Sequence, residues 1–156
     1  MDEVLHSFLA THHITYELVK HKPVFTVADS ESLPPFPGLR TKSLFLKDEQ
    51  GKFYLVTLPG ILRLAMPALR AHLKVKKLEF GSPEELKKEL NTTPGSVSPC
   101  CLIHAQNVHA LIHANVWDAE QVQCHPDSNA ETLLLAQAQL RALWHALPGT
   151  KEVWNG

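Results

Sequence analysis

The chain has 156 residues, with 44% hydrophobic and 20% charged side chains. This is the composition of a folded domain and excludes a disordered, collagen-like or low-complexity chain. Fifteen Lys and Arg stand against sixteen Asp and Glu, which excludes a protein that holds nucleic acid by bulk charge and leaves only local basic patches.

The length fits one domain and is enough to bury a core without disulfide or metal staples. The start, Met1-Asp2-Glu3, is acidic and has no basic segment followed by an apolar one, so no secretory leader is expected. No run approaches the ~18 apolar residues of a membrane helix. Cys100, Cys101 and Cys124 make no C-x-x-C pair and read as reduced thiols of a cytoplasmic protein.

Residues 2–12 carry Val4, Leu5, Phe8 and Leu9 at helical spacing and predict a short amphipathic helix. Ile14 to Val19 reads as a strand. Val24 to Val27 leads into a short helix expected over Asp29 to Ser32, and Pro34, Pro35, Pro37 and Gly38 then enforce a loop. The strongest local pattern is a hairpin: Lys42–Lys47 and Lys52–Leu58 flank a polar Asp48-Glu49-Gln50-Gly51 turn. A helix is expected from Pro67 to Leu73 and a strand from Lys76 to Phe80. Ser82-Pro83-Glu84-Glu85 is a capping box opening a helix to Leu90. Asn91 to Pro99 is turn chemistry. Strands are expected at Val108–Val116, Val122–His125 and Thr132–Leu135, and a last helix at Gln137–Leu147. Interleaved strands and helices predict a mixed α/β fold, one sheet with helices packed around it.

Ten histidines raise a zinc site, with His104, His109 and His113 downstream of Cys100 and Cys101. However, H-E-x-x-H and paired C-x-x-C are absent, and two of these histidines are four apart along a strand. No G-x-S-x-G elbow, Walker loop or G-x-G-x-x-G occurs. Cys124 and His125, adjacent on a strand, point to opposite faces. Lys74, Lys76 and Lys77, with Lys87, Lys88, Arg63 and Arg70, form the main basic region, read as solvated faces with a phosphate contact for one or two. Lys42 enters a strand beside a Pro/Gly loop, where it can reach a phosphate or carbonyl oxygen or simply stay in water. Pro94-Gly95-Ser96-Val97-Ser98-Pro99 is either a connector or a turn offering amides to an oxyanion.

Five stretches, in order, resemble the YbaK/ProX-type aminoacyl-tRNA deacylase family, the free-standing relatives of the bacterial prolyl-tRNA synthetase editing domain. They are His21–Val27, Thr41–Asp48, Phe80–Leu86, Pro94–Pro99 and His125–Asn129. The pattern looks most like the ProX branch, which clears Ala-tRNA(Pro). The resemblance implies a pseudo-barrel sheet core surrounded by helices, with residues 1–156 as one deacylase domain. It implies hydrolysis of a 3′-aminoacyl ester on mischarged tRNA(Pro) by water, without metal or other cofactor.

It also places catalytic roles on Lys42, Gly95 and His125. Substrate contacts fall on Phe25, Thr26, Ser43, Phe45, Ser96, Val97, Ser98 and Asn129, with Leu58 a further wall candidate. The implied partner is the acceptor end of tRNA, with prolyl-tRNA synthetase or an elongation factor beside it, and the chain is expected to be a monomer or weak dimer with no membrane contact. Ser43 stands where the ProX branch commonly has Asn, and polar residues surround Asn129. Clearance of Ser or Cys is therefore an alternative to Ala, and a non-catalytic module that binds tRNA or synthetase is the alternative to an enzyme.

Overall fold

In the computed structural model, which describes residues 1–23, 26, 28, 29 and 35–156, helix α1 (Glu3–Thr11) begins where the Asp2 carboxylate accepts the Leu5 amide. Leu5 and Leu9, four apart, turn inward together. The chain leaves α1 through His13 at φ 56°, and the Ile14 amide bonds back to the Leu9 carbonyl. Ile14 is thereby a buried plug at the helix end, and the first strand starts three residues later than its apolar pattern suggests.

Eight strands form one mixed sheet among the described residues: β1 (Glu17–Lys20), β2 (Leu39–Asp48), β3 (Phe53–Pro59), β4 (Leu78–Phe80), β5 (Val108–His113), β6 (Gln121–Cys124), β7 (Glu131–Ala136) and β8 (Lys151–Trp154). Their order is β1-β7-β6-β2-β3-β5-β8, with β4 pairing β2 off this path. Pairs β1·β7, β6·β7, β2·β3 and β2·β4 are antiparallel, while β2·β6, β3·β5 and β5·β8 are parallel. Strand β2 joins the two halves: Leu39 and Arg40 pair β6, and Thr41 to Lys47 pair β3.

The hairpin turn between β2 and β3 is fixed by a buried carboxylate. Asp48 Oδ1 accepts the amides of Gln50 and Lys52, its Oδ2 accepts the Tyr54 hydroxyl at 2.8 Å, and Gly51 supplies φ 81°.

The main core lies between one sheet face and α1, α3 (Pro83–Leu90) and α5 (Gln137–Ala146), around Leu9, Leu90, Leu133, Leu135, Leu143 and Trp144. The opposite face carries a smaller core of Leu46, Tyr54, Val56, Leu58, Leu111 and Trp154, covered by Leu69 of α2 (Met66–Leu73). Strand β3 is buried on both faces, which is why its sequence is a nearly unbroken apolar run.

The hairpin, α2, the capping box of α3 and α5 stand where the sequence places them. Three features differ. The strand expected to reach Val116 stops at His113, whose ring accepts the Asn115 amide and caps α4 (Ala114–Trp117). Pro99, read as the last residue of the Asn91–Pro99 turn, instead opens a 3-10 helix that runs to His104 and is capped by Ser98. Strand β8 was not expected at all. Val24, Phe25, Val27 and residues 30–32, expected as a strand-like stretch and a short helix, lie outside the described residues, as do 33 and 34. No described helix is long and apolar enough to cross a membrane.

Candidate active site

Four strand segments meet at one end of the sheet. Lys20 ends β1 opposite Glu131, which begins β7; Cys124 ends β6 opposite Leu133; and β2 passes Arg40 opposite Gln123 before turning to β3. The parallel register pairs Leu39 with Val122 and Arg40 with Gln123, two residues before Lys42 and His125 respectively. The Thr41 hydroxyl seals this junction by donating to the Gln123 carbonyl at 2.6 Å. Lys42 is half-buried opposite Leu58 and has no hydrogen-bond or ion-pair partner among the described residues.

His125 has a defined tautomer. Its Nδ1 lies 2.9 Å from the Glu131 carbonyl, which can only accept, so Nδ1 carries the proton and Nε2 keeps its lone pair. Burial lowers its pKa, more strongly than the Glu131 carbonyl raises it, and the neighbouring His21 lowers it further. His125 is therefore a neutral acceptor at pH 7. His21 lies beside it, ring centroids 6.4 Å apart. The same tautomer argument applies: His21 Nδ1 donates to the Lys22 carbonyl, and Nε2 accepts the Thr132 hydroxyl at 2.8 Å in the neutral ring. Phe36 also stacks on His21, ring centroids 6.4 Å apart.

The turn over residues 94–99 reaches the same end through Ser98. Its buried hydroxyl donates to the Pro126 carbonyl at 3.3 Å and accepts the Cys100 amide at 3.1 Å. Gly95 has φ 91°, in the region that glycine enters without strain. The Ser96 amide is committed to the Thr93 carbonyl. Among the described residues no acceptor meets the amides of Gly95 and Val97. Ser96 is buried and its carbonyl receives the Thr92 hydroxyl and the Cys101 thiol, while Val97 packs on the main core. Asn129 is half-buried in the loop after His125, which is tethered by the Met1 amine on Glu131 and by the Asp2 amide on Asp127 at 2.7 Å.

The remaining expected residues fall elsewhere or are already engaged. The Ser43 hydroxyl is 2.8 Å from that of Thr57, its cross-strand partner. Phe45 is buried, stacks on Phe53 at 5.0 Å and lies so close to Gly81 that a Cβ there would sit 2.4 Å from its ring. Leu58 belongs to the smaller core. Phe45 and Leu58 are thus packing residues. Thr26 is exposed and makes a reciprocal pair with Asp29, each side chain accepting the other's amide. Phe25 lies outside the described residues.

The histidines and cysteines that suggest a zinc site do not form one cluster among the described residues. His109 bonds Thr150 and Glu152, His113 caps α4, and Cys100 and Cys101 are buried in the 3-10 helix. Among the described residues no group of three or more His, Cys, Asp and Glu is placed to hold an ion. Contact with Cys124, and then burial, raises the Cys100 pKa, and burial pushes Cys101 up to about 11, so both are protonated, poor nucleophiles.

Sequence reasoning missed Gln123. Its buried amide nitrogen faces the carbonyls of Phe36, Pro37 and Gly38 at 2.8, 3.0 and 3.1 Å and holds the Pro-rich loop to β6. A lone Gln within the buried Val-Gln-Cys strand was the available sign.

Residues 21–143 match the model of the aminoacyl-tRNA editing domain. The chain is 29% identical over 134 residues to the prolyl-tRNA editing protein ProX of Acetoanaerobium sticklandii, covering 83% of this chain and 82% of that one. It is 29% identical over 143 residues to prolyl-tRNA synthetase associated domain-containing protein 1 of Danio rerio, covering 87% and 77%. A solved structure described as a candidate trans-editing enzyme for prolyl-tRNA synthetase superposes with a TM-score of 0.76 at 18% identity, over 99% of this chain and 97% of that one, and shares the fold. The chain belongs to the aminoacyl-tRNA editing domain family and, with that membership, is an aminoacyl-tRNA deacylase.

Proposed function

We propose that the protein clears mischarged tRNA(Pro) in trans, with alanine the leading amino acid, by attack of water on the 3′-aminoacyl ester. The family match supports the reaction class. The site reading is supported by the Thr41 bond to Gln123, which brings the chain one residue before Lys42 to the chain two residues before His125, and by the Ser98 bond that ties the 94–99 turn to the His125 loop.

An aminoacyl ester is already a good electrophile, so positioning and charge stabilisation do most of the work. The Lys42 ammonium holds the terminal phosphate or the ester carbonyl. The Gly95 and Val97 amides, which meet no acceptor among the described residues, donate to the oxygen that becomes negative in the tetrahedral intermediate. His125 Nε2 accepts a hydrogen bond from the attacking water or a ribose hydroxyl and orients it. Ser43, already bonded to Thr57, presents a small polar wall in place of the usual Asn. A small pocket separates amino acids differing by one methylene by only about 1–3 kcal/mol.

The deciding experiment is a panel of Ala-, Ser- and Cys-charged tRNA(Pro) with the wild type and Lys42→Ala. The wild type is expected to clear Ala fastest and Lys42→Ala to lose nearly all deacylation. Retention of most of the rate by Lys42→Ala would remove the lysine from the site. Tight tRNA binding without turnover on any substrate would make the protein a binding module.

A further inference from the structure

The charges of this nearly neutral chain are segregated. From Pro59 to Leu78 there are five cationic side chains, Arg63, Arg70, Lys74, Lys76 and Lys77, and not one Asp or Glu. The remainder of the chain holds ten Lys and Arg against sixteen Asp and Glu. Among the described residues, Arg63, Arg70, Lys74 and Lys76 have no carboxylate within ion-pair distance, and Lys77 meets only Glu79, at 3.9 Å.

The path of this segment gives the charge a direction. It starts at the candidate site, where the Gly60 amide bonds the Arg40 carbonyl at 2.7 Å, two residues after the Leu58 that pairs Lys42. Helix α2 then lies over the smaller core, on the sheet face that alternation along β2 shares with Lys42. The segment ends at the far tip of the hairpin, where the amides of Lys76 and Lys77 bond the Glu49 carboxylate. The seven residues of β3 separate the two ends by about 20 Å at ~3.3 Å per residue. At the site end Ile61 is 86% exposed, with Leu62 partly exposed beside it.

We propose that residues 59–78 form the track on which the phosphates of a tRNA acceptor arm lie, with the 3′ end delivered at Lys42 and the terminal base resting on Ile61 and Leu62. The surface rests on the reading of the site as a deacylase. Three carboxylates from outside the segment reach it, Glu49 on the Lys76 and Lys77 amides, Glu152 on His72 and Glu79 beside Lys77, and the side chains of Arg63, Arg70, Lys74 and Lys76, which pair with none of them among the described residues, fit a polyanion. The track positions the arm, and cleavage stays at the sheet end.

The test uses the full chain and uncharged tRNA, with binding measured from low to moderate salt. Arg63→Gln/Lys74→Gln/Lys76→Gln is expected to bind at least tenfold more weakly at low salt. Its slope of log affinity against log salt is expected to be shallower by about two to three, one per lost phosphate contact. Lys87→Gln/Lys88→Gln on α3, which packs on the main core, should leave affinity and slope unchanged. Ile61→Ser should weaken binding without changing the slope, because no counterion is released there. Thermal melts identify any variant that has lost its fold, and the single substitutions Arg63→Gln and Lys76→Gln, each expected to remove about one unit of slope, then replace it.

Equal slopes for the triple variant and the wild type would overturn the track, as would an equal loss in the α3 variant. Loss of binding to a protein partner with tRNA slopes intact would assign the strip to that partner and overturn it too. Hydrolysis of a 3′-aminoacyl-adenosine, which has no arm to lie on the track, should be the same in the triple variant and the wild type. A wild type that binds along the track but hydrolyses no ester would leave the surface standing and remove the deacylase reading.

Discussion

His125 combines burial with a fixed proton on Nδ1, and its pKa is held below the ordinary value of ~6.5. A histidine lowered in this way is neutral above that range and charges only as the pH falls through its own depressed pKa. If Nε2 must accept a hydrogen bond during hydrolysis, the rate of deacylation should be flat around pH 7 and fall on an acid limb below pH ~6.5. Because His21 contributes to the depression, His21→Gln should move that limb to higher pH while leaving the plateau in place. A limb that stays put on this substitution would show that the pair is not coupled. The sequence pointed to His125 through its Pro-Asp-Ser-Asn neighbours. Nothing in it told that His21, a hundred residues earlier, would lie beside both His125 and Phe36, because the contact is made only when β1 pairs β7. Phe45 shows the converse. Its place inside a matched motif suggested a substrate contact, and packing against Gly81 and Phe53 accounts for it.

The hairpin is the element most readable in the sequence, and its turn explains why. Asp48 three residues before Gly51 is local chemistry, independent of the rest of the chain. Burial by itself would raise the Asp48 pKa, but the Tyr54 hydroxyl and two backbone amides outweigh it and the pKa is lowered. Asp48→Ala should cost on the order of 2–4 kcal/mol in chemical denaturation, since it strands a buried hydroxyl and two amides. The sign with pH follows. A depressed carboxyl stabilises the fold above its unfolded pKa of ~3.9, and that stability is lost as the pH falls through the lower folded value. Asp48→Ala should therefore flatten the acid end of the stability profile, and an unchanged acid end would contradict the role. The elements that escaped the sequence lack such local signals. Strand β8 is four residues stabilised by parallel pairing with β5, and α4 replaces the end of an apolar run because the His113 ring caps it. The 3-10 helix depends on Ser98, whose other bond reaches Pro126 across 28 positions.

At the scale of the molecule, mixed α/β architecture followed from interleaved strand and helix patterns, while the order of the strands did not. Parallel neighbours such as β3 and β5 are distant in sequence, and no alternation pattern encodes which strand lies beside which. Strand β2 shows what that order achieves. Its pairing with β6 ends at Arg40 and its pairing with β3 begins at Thr41, so Lys42 stands beside the junction of the two half-sheets. Strand ends at a point of diverging connections are where open α/β sheets commonly bind ligands. The candidate site thus takes its position from the sheet and its chemistry from loops.

The cations of residues 59–78 that meet no carboxylate among the described residues form one basic patch on a chain of formal charge -1. A polyanion at a distance therefore selects the orientation in which this patch leads. Encounter should be fast at low salt and slow steeply as the Debye length shrinks below the ~20 Å of the strip, with dissociation changing less. Stopped-flow association at two salt concentrations reads this directly. The same property should show on an ion-exchange column: at pH 7, with a formal charge of -1, the protein should still be retained by an immobilised polyanion such as heparin. A chain with its charges scattered would pass through.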